Sequence, residues 1–370
     1  MLDRPALAER PEAALGAPIA SPIASAGAPI LQLESPVCDL CGSSEQRNLY
    51  LVRDRKYQTP GEFQLVECTK CSLRYLCPRP ISSTIHNWYP NTYTAYKKKA
   101  PTWFQRVGDF FEDRIWNSYL RLFLSRTYPI FYFPKHAKDF ATPDRAPRIL
   151  DVGCGSGDKL RYIREHSPWD TYGVDFSAQA VENANARGAG DVRLRTDHRL
   201  PFDDGHFDAI MSWHSLEHHY SPKATMTEAA RVLRPGGYGI FAVPSGNNVG
   251  MRMFRSYWGP LEAPRHLYYF TKQTLSRLMD ECGLKVHKVV YDFSFYGLFF
   301  DQEILWSLEF LARDKLGWLG WPFRIPLKIL QFEGLISSLM TLPILPLNPV
   351  LGRLWRGSNM IVHFTKPEHP

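Results

Sequence analysis

The stretch Ile149-Leu-Asp-Val-Gly-Cys-Gly-Ser-Gly-Asp-Lys-Leu160 constrains this chain more than any other. Its apolar start reads as a buried strand, its glycines at alternate positions as a loop, and Asp158-Lys-Leu160 as the opening of a helix. Glycine lets the backbone turn sharply and lets a ligand approach it closely, while a helix N-terminus offers unbonded N–H groups to an anion. Dinucleotide sites use the same physics, but with the spacing Gly-x-Gly-x-x-Gly. Here the spacing differs and an acid, Asp151, stands at the strand end. A carboxylate there repels a pyrophosphate and attracts a ligand that carries an ammonium group beside a sulfonium. The expected ligand is therefore S-adenosylmethionine rather than NAD, held at Asp151, Gly153, Gly155 and Gly157.

From Arg148 onward the pattern of strand, glycine turn and helix repeats, which predicts a parallel sheet covered by helices. Strands are expected at 148–152, 170–174, 191–195, 207–213, 237–243, 284–291 and 358–365, and helices at 157–166, 177–187, 222–233 and 271–282, the last stopped by Gly283. The fold class is α/β, a Rossmann-like seven-stranded, mostly parallel sheet with helices on both faces. Asp175 ends the second strand roughly twenty residues after the loop, where a carboxylate can accept from both ribose hydroxyls. Phe176 can cover one face of the adenine, and Asp197, with His198 beside it, can accept from the adenine amino group.

Two further elements follow in order: Leu200-Pro-Phe-Asp-Asp-Gly-His-Phe-Asp208 before the fourth strand, and Arg231-Val-Leu-Arg-Pro-Gly-Gly237 before the fifth. Together with the glycine loop they resemble the class I S-adenosylmethionine-dependent methyltransferases, particularly small-molecule methylases of the ubiquinone-pathway type, over roughly residues 145–290. The resemblance implies methyl transfer by in-line displacement. Such a site must align the acceptor and, for a hydroxyl or carbon acid, remove a proton. Trp213-His-Ser-Leu-Glu-His-His219 carries the family's Leu-Glu-His pattern at Leu216–His218. His218 is the first choice as base or substrate orienter, with His214 and His219 behind it; the other reading is that Glu217 and His218 only tie the loop together. In Pro264-Arg-His-Leu-Tyr-Tyr-Phe270, His266 could reach the methyl group and Arg265 could pair with an anionic substrate. The alternative there is a loop leading into a helix, with its aromatics in the core.

Of the seven cysteines, four form Cys38-Asp-Leu-Cys41 and Cys68-Thr-Lys-Cys71, separated by 26 residues. Two such knuckles supply four thiolates for tetrahedral zinc, and four protein ligands close the site, so the Zn2+ is expected to be structural. The intervening span holds strand-like runs and a Pro60-Gly61 turn suited to a hairpin, giving a small zinc-ribbon-like module. Cys77, Cys154 and Cys282 read as buried small hydrophobes. The run from Cys68 to Pro80, then Trp88-Tyr-Pro90 and Tyr93, looks like bacterial methyltransferases with an N-terminal zinc module, many of them in cell-envelope, sugar or secondary metabolism. Sugar C-methyltransferases also carry such a module, but this chain lacks their large third domain.

The expected organisation is a disordered leader at 1–35, rich in Ala, Pro, Ser and Gly, and a zinc-binding module at 36–96. An aromatic helical connector follows at 97–144, with Phe104, Val107, Phe110, Phe111, Ile115, Tyr119, Leu122 and Phe123 at helical spacing. Then come the methyltransferase core at 145–293, a hydrophobic helical insertion at 294–356 between strands six and seven, and the last strand and tail at 357–370. Residues 334–352 of the insertion carry no charge, yet Pro343, Pro346 and Pro349 oppose a regular spanning helix. Trp306, Trp318, Trp321 and Trp355, with Lys315, Arg324, Lys328 and Arg353, resemble an interfacial surface in composition. The insertion reads as a lid, a shallow membrane contact for a lipid-linked substrate, or a helical subdomain packed on Trp103–Pro134.

The net charge of +7 is mild and fits a solubilising surface as well as an anionic partner. Metal-type cysteine spacing and the absence of a continuous apolar N-terminal run point to a reducing, cytoplasmic setting, with peripheral contact at the inner face of the membrane as its extension. The leading function is an S-adenosylmethionine-dependent methyltransferase acting on a small or lipid-linked metabolite, O-methylation favoured over C- or N-. One alternative is an RNA base methyltransferase, with Arg47, Arg53, Arg55, Lys56 and Tyr57 of the module contacting phosphates and bases. Interleaved acids and the lack of a long basic run weigh against nucleic acid. The other alternative is a non-catalytic cofactor-binding protein, which the intact loop and both ligand-reading acids oppose. No feature of the sequence sets an oligomeric state.

Overall fold

The computed structural model describes residues 32–90, 128–292, 302–317 and 357–368. The expected leader up to residue 31, the helical pattern of 97–127 and most of the hydrophobic insertion lie outside these residues. The chain opens with a short strand β1 (Leu33–Glu34) and the strands β2 (Gln46–Arg53) and β3 (Glu62–Cys68), followed by β4 (Arg74–Leu76) and β5 (Arg79–Pro80). Pro60 and Gly61 sit in the loop between β2 and β3, and Gly61 takes φ 116°, a value that favours glycine. The strands pair antiparallel from Gln46–Cys68 to Arg53–Glu62, so the hairpin brings the two cysteine pairs to one end.

The second sheet has seven strands: β6 (Arg148–Val152), β7 (Asp170–Asp175), β8 (Asp191–Leu194), β9 (Phe207–Trp213), β10 (Leu233–Pro244), β12 (Lys285–Asp292) and β13 (Asn359–Thr365). Their order is β12-β13-β10-β9-β6-β7-β8, and β13 alone runs antiparallel to its neighbours. β9 is buried along its whole length, as a central parallel strand covered on both faces must be. After β6 the chain moves outward to β7 and β8, then returns to β9 on the other side of β6. That reversal opens a crevice beyond the carboxyl ends of β6 and β9, the place where open α/β sheets bind ligands. The fifth strand starts at Leu233 rather than at 237, because the expected Pro235-Gly236-Gly237 turn is absorbed as an irregularity: pairing shifts between Leu233 and Tyr238, and Gly236 takes φ 72°.

Helices α1 (Pro129–Lys135), α2 (Ala137–Phe140), α3 (Asp158–His166), α4 (Ala178–Ala186), α5 (Pro222–Val232), α6 (Val249–Phe254), α7 (Lys272–Glu281) and α8 (Gln302–Leu316) surround the sheets. Start signals explain several of them. Ser177 and Ser221 accept from Ala180 N and Ala224 N at the starts of α4 and α5, and Thr271 with Thr274 forms a capping box before α7. None of the helices among the described residues is long and apolar enough to cross a membrane.

The N-terminal segment is no separate bead. A two-residue strand of the larger unit, β11 (Tyr268–Tyr269), adds to the hairpin sheet to give the order β11-β4-β3-β2. Cys38, Leu40, Val66, Leu73 and Tyr75 share one apolar cluster with Leu150, Leu267, Phe270, Met279 and Phe364. Cys77 and Cys154 are buried in apolar surroundings and Cys282 is half-buried. The described part of the insertion, α8, packs on this same assembly. Asp314 receives Arg53 and Arg55 at 2.7 and 3.0 Å, Ser307 Oγ accepts from Gly259 N at 2.9 Å, and Lys56 lies over the Trp306 ring. The contacts of α8 therefore run to the hairpin and the segment after α6.

Candidate active site

Three loops meet at the carboxyl ends of β6, β7 and β9. In the first, between β6 and α3, Gly153, Gly155 and Gly157 all take positive φ (79°, 54° and 74°). A side chain on Gly153 would strike Ser215 and one on Gly157 would strike Ala184 and Ala189, whereas Gly155 faces open space. The close approach at Gly153 locks this loop against the loop that follows β9.

Asp151 is 1% exposed, and its Oδ1 has no hydrogen-bond partner among the described residues. Burial, with Asp175 adding to it, pushes its carboxyl up to about 7. Asp175 is fixed by the backbone: Oδ2 accepts from Gly155 N and Oδ1 from Ser177 N, both at 2.9 Å. Each carboxylate oxygen has a second lone pair, so the residue can still accept from a ligand diol. Phe176 next to it is 41% exposed, unusual for a large aromatic. Asp197 and His198 are exposed, on a loop pinned by Arg195, which donates to the carbonyls of both and to Thr225 Oγ1. Asp197 also accepts from Arg199 N at 2.8 Å and lies on the wall of a cavity of about 370 Å³. The sequence reading missed Arg195 as the residue that shapes this loop.

The donor set fits an S-adenosylmethionine-type ligand on three counts. A buried carboxyl oxygen has no partner among the described residues, a glycine faces free space, and the N-terminus of α3 has no side-chain cap on its N–H groups. Asp151, Gly155, Asp175 and Phe176 are thus brought to one place.

After β9 the backbone breaks at His214 (φ 52°) and winds through a short 3-10 turn, Leu216–His218. His214, Glu217, His218 and His266 converge here. Glu217 is fully buried, with His214 Nδ1 at 3.3 Å and His266 Nε2 at 3.9 Å from Oε1. Burial would raise its carboxyl, but the imidazoles, His214 first, bring it below the ordinary value. The His218 ring meets the His266 ring edge-on at 4.6 Å, and its Nδ1 lies 2.9 Å from Arg265 O and 3.2 Å from Tyr89 Oη. Burial pulls His218 down against the pull of Glu217 and Glu262, so it is neutral at pH 7 and can take up a proton. His219 points elsewhere, to Ser215 Oγ and Thr225 Oγ1 at 3.1 and 2.7 Å.

His266 is buried behind His218, donating from Nδ1 to Pro260 O at 2.7 Å; Arg265 is completely buried in an ion pair with Asp54. An anionic substrate therefore has no access to the Arg265 guanidinium, contrary to the sequence expectation. Burial, with His218 adding to it, lowers His266 to about 4. The unfolded chain takes up that proton near pH 6.5 and the folded chain only near 4, so stability present above pH 6.5 is lost as pH falls toward 4. Urea unfolding at pH 7 and pH 4.5 should differ by about 2 kcal/mol from this group. His266→Gln should shrink the difference.

Tyr89, which the sequence reading left as part of a motif, bridges the two halves of the site. Its ring lies 6.0 Å from Phe176, the neighbour of Asp175, while its hydroxyl is 3.2 Å from His218 Nδ1. The four cysteines form a separate centre. Cys38 and Cys71 sulfurs are 3.4 Å apart, Cys41 and Cys68 3.5 Å, and all four lie within 4.8 Å of one another. Sulfurs at about 2.3 Å from one tetrahedral ion would stand about 3.8 Å apart, so small side-chain shifts would let this set hold a metal. The two knuckles repeat each other: Gly42 N bonds Cys38 O and Ser72 N bonds Cys68 O, with φ 72° and 63° at Gly42 and Ser72.

Residues 124–289 match the family model described as "Methyltransferase domain". A probable tRNA methyltransferase 9B of Bos taurus is 42% identical over 93 residues, covering 24% of this chain and 19% of that protein. A fatty-acid O-methyltransferase of Mycolicibacterium smegmatis is 36% identical over 98 residues, 25% of this chain and 36% of that protein. A malonyl-[acyl-carrier protein] O-methyltransferase of Enterobacter lignolyticus is 28% identical over 153 residues, 40% of this chain and 60% of that protein. The chain spans less than two thirds of each of these curated relatives.

Proposed function

We propose that this methyltransferase domain carries out S-adenosylmethionine-dependent methyl transfer to a small or lipid-linked metabolite, preferentially on oxygen. The observation that carries the reading is the buried Asp151 carboxyl, whose Oδ1 has no partner among the described residues, beside a glycine loop whose Gly155 N is held by Asp175. A cationic, ribose-bearing ligand satisfies both acids; a dinucleotide could offer Asp175 a ribose, but its pyrophosphate would be repelled by Asp151. When bound, the cofactor supplies a methyl carbon on a sulfonium, open to in-line displacement.

The chain's own residues then have distinct tasks. Asp151 and the free N–H groups of α3 would hold the ammonium and carboxylate of the amino-acid end, Asp175 the ribose, and Phe176, Asp197 and His198 the adenine. Neutral His218 would take the proton from an acceptor hydroxyl, with Glu217 balancing the charge that it gains and His214 and His266 packed around that pair. The four cysteines would bind one structural Zn2+ that ties the N-terminal hairpin together. Two relatives, a fatty-acid O-methyltransferase and a malonyl-[acyl-carrier protein] O-methyltransferase, agree with methylation on oxygen.

His218→Ala should slow single-turnover transfer by about 10²–10⁴-fold with cofactor affinity intact. An unchanged rate across pH would remove His218 as the base. The lipid-linked limb of the reading rests on residues 294–356 and is tested by flotation with anionic liposomes: retention at low salt supports peripheral membrane contact, and no binding eliminates it.

RNA is the second acceptor to weigh, given the name of the bovine relative. The module residues that would serve RNA are already engaged. Arg47 pairs with Glu67, Arg53 and Arg55 with Asp314, and Lys56 with Glu262, while Tyr57 lies under Arg265. A steep salt dependence of RNA binding by the full chain would favour that acceptor after all.

A further inference from the structure

His218 owes its setting to residues far from it in sequence. The carbonyl 2.9 Å from its Nδ1 belongs to Arg265, and the position of Arg265 is dictated by the N-terminal hairpin. Its guanidinium meets both Asp54 carboxylate oxygens at 2.8 and 2.9 Å, donates to Trp88 O at 2.9 Å and lies 4.6 Å over the Tyr57 ring. Asp54 is itself held by Thr59 Oγ1 and by the N–H groups of Lys56 and Tyr57. Neither side chain of the pair is exposed.

An imidazole that donates from Nδ1 to a carbonyl must carry its lone pair on Nε2 when neutral; the partner of one ring nitrogen sets the chemistry of the other. We propose that Asp54 is a positioning residue for methyl transfer: it clamps Arg265, so that the Arg265 carbonyl holds His218 as the Nδ1–H tautomer and leaves Nε2 as the proton acceptor. The inference rests on the reading of His218 as the base. It makes the four-cysteine segment a working part of the transfer site. Trp88, which holds the guanidinium, is followed directly by Tyr89, whose hydroxyl also faces His218.

The groups facing His218 are Glu217, Glu262, His266, the Arg265 guanidinium and Tyr89. Burial lowers the His218 pKa, and the Arg265 carbonyl is among the contacts that raise it back. Releasing that carbonyl therefore moves the acidic limb of the rate profile to lower pH.

The test uses full-length, metal-loaded protein and two readouts: nitrogen-15 spectra of the His218 ring, which need no acceptor, and the pH dependence of single-turnover transfer. The wild type should show Nδ1 protonated and Nε2 bare. Asp54→Asn, with cofactor affinity intact by calorimetry, should show mixed tautomers, an acidic limb at lower pH and a rate reduced about ten- to a hundredfold. A wild-type ring protonated on Nε2 overturns the proposal without any variant, which matters if Asp54→Asn fails to fold. A folded Asp54→Asn protein with the wild-type ring spectrum and pH profile overturns it as well. Failure of the base reading would look different, with His218→Ala retaining full transfer while the ring spectrum still responds to Asp54.

Discussion

Removing the Zn2+ proposed for the four-cysteine centre is expected to unfold the N-terminal hairpin and disorder the loop that carries His218. Four sulfurs lie within 4.8 Å of one another, close enough to share one ion, and Cys38 and Cys68 are fully buried. Metal binding to structural sites of this kind is worth about 10–16 kcal/mol in small peptides, comparable to the whole net stability of a domain at about 5–15 kcal/mol. The damage should not stay local. Asp39, inside the first knuckle, accepts from Ser221 Oγ and Lys223 N at 2.8 Å each, and so caps α5 from outside, just after the His218 loop. The strand pairing of Tyr268 with Tyr75 adds a second connection. Metal analysis should find one zinc per chain. Chelation should release it together with titratable thiols, and hydrogen exchange should then rise over 38–76 and over 216–224. Equal protection with and without metal would show that the knuckles hold without it.

Asp175→Ala should weaken S-adenosylmethionine binding by about 100-fold or more. The substitution removes the acceptor proposed for the ribose and orphans Gly155 N and Ser177 N, each of which now has a carboxylate oxygen at 2.9 Å. A buried donor left without a partner costs about 1–3 kcal/mol, and the lost charge-assisted bonds to the ligand add to that. Asp175→Asn should do intermediate harm, because its amide group would turn a donor toward one of those N–H groups. Calorimetry with the cofactor and with its demethylated product reads the effect directly. An affinity within twofold of wild type would place the ribose elsewhere.

The sheet and the glycine loop with its neighbouring acids were legible in the sequence, and the surroundings of His218 were not, for a physical reason. Central parallel strands such as Phe207–Trp213 are apolar throughout and bounded by glycine turns. The glycine loop, Asp151, Asp175 and Phe176 occupy strand ends where the local sequence states their surroundings. The surroundings of His218 are assembled by contacts that no local pattern encodes. Arg265 reads as a free cation in its own segment, yet its partner Asp54 lies 211 residues away in sequence. Tyr268–Tyr269 is a two-residue strand, too short for any periodicity, and it exists because β4 offers it an edge. Tyr89 reaches His218 across 129 residues. Trp306 and Lys315 suggested an interfacial surface by composition. In the fold Trp306 is covered by Lys56, and Asp314, one residue before Lys315, fastens α8 to Arg53 and Arg55.

Incubation of the full-length protein with methyl-labelled S-adenosylmethionine and a lysate separated into small-molecule, lipid, protein and RNA fractions is the most direct measurement. The expected result is label in the small-molecule or lipid fraction, lost with Asp175→Ala and strongly reduced with His218→Ala. Label confined to RNA, or no transfer to any fraction from a protein that binds the cofactor, would contradict methyl transfer to a small or lipid-linked metabolite.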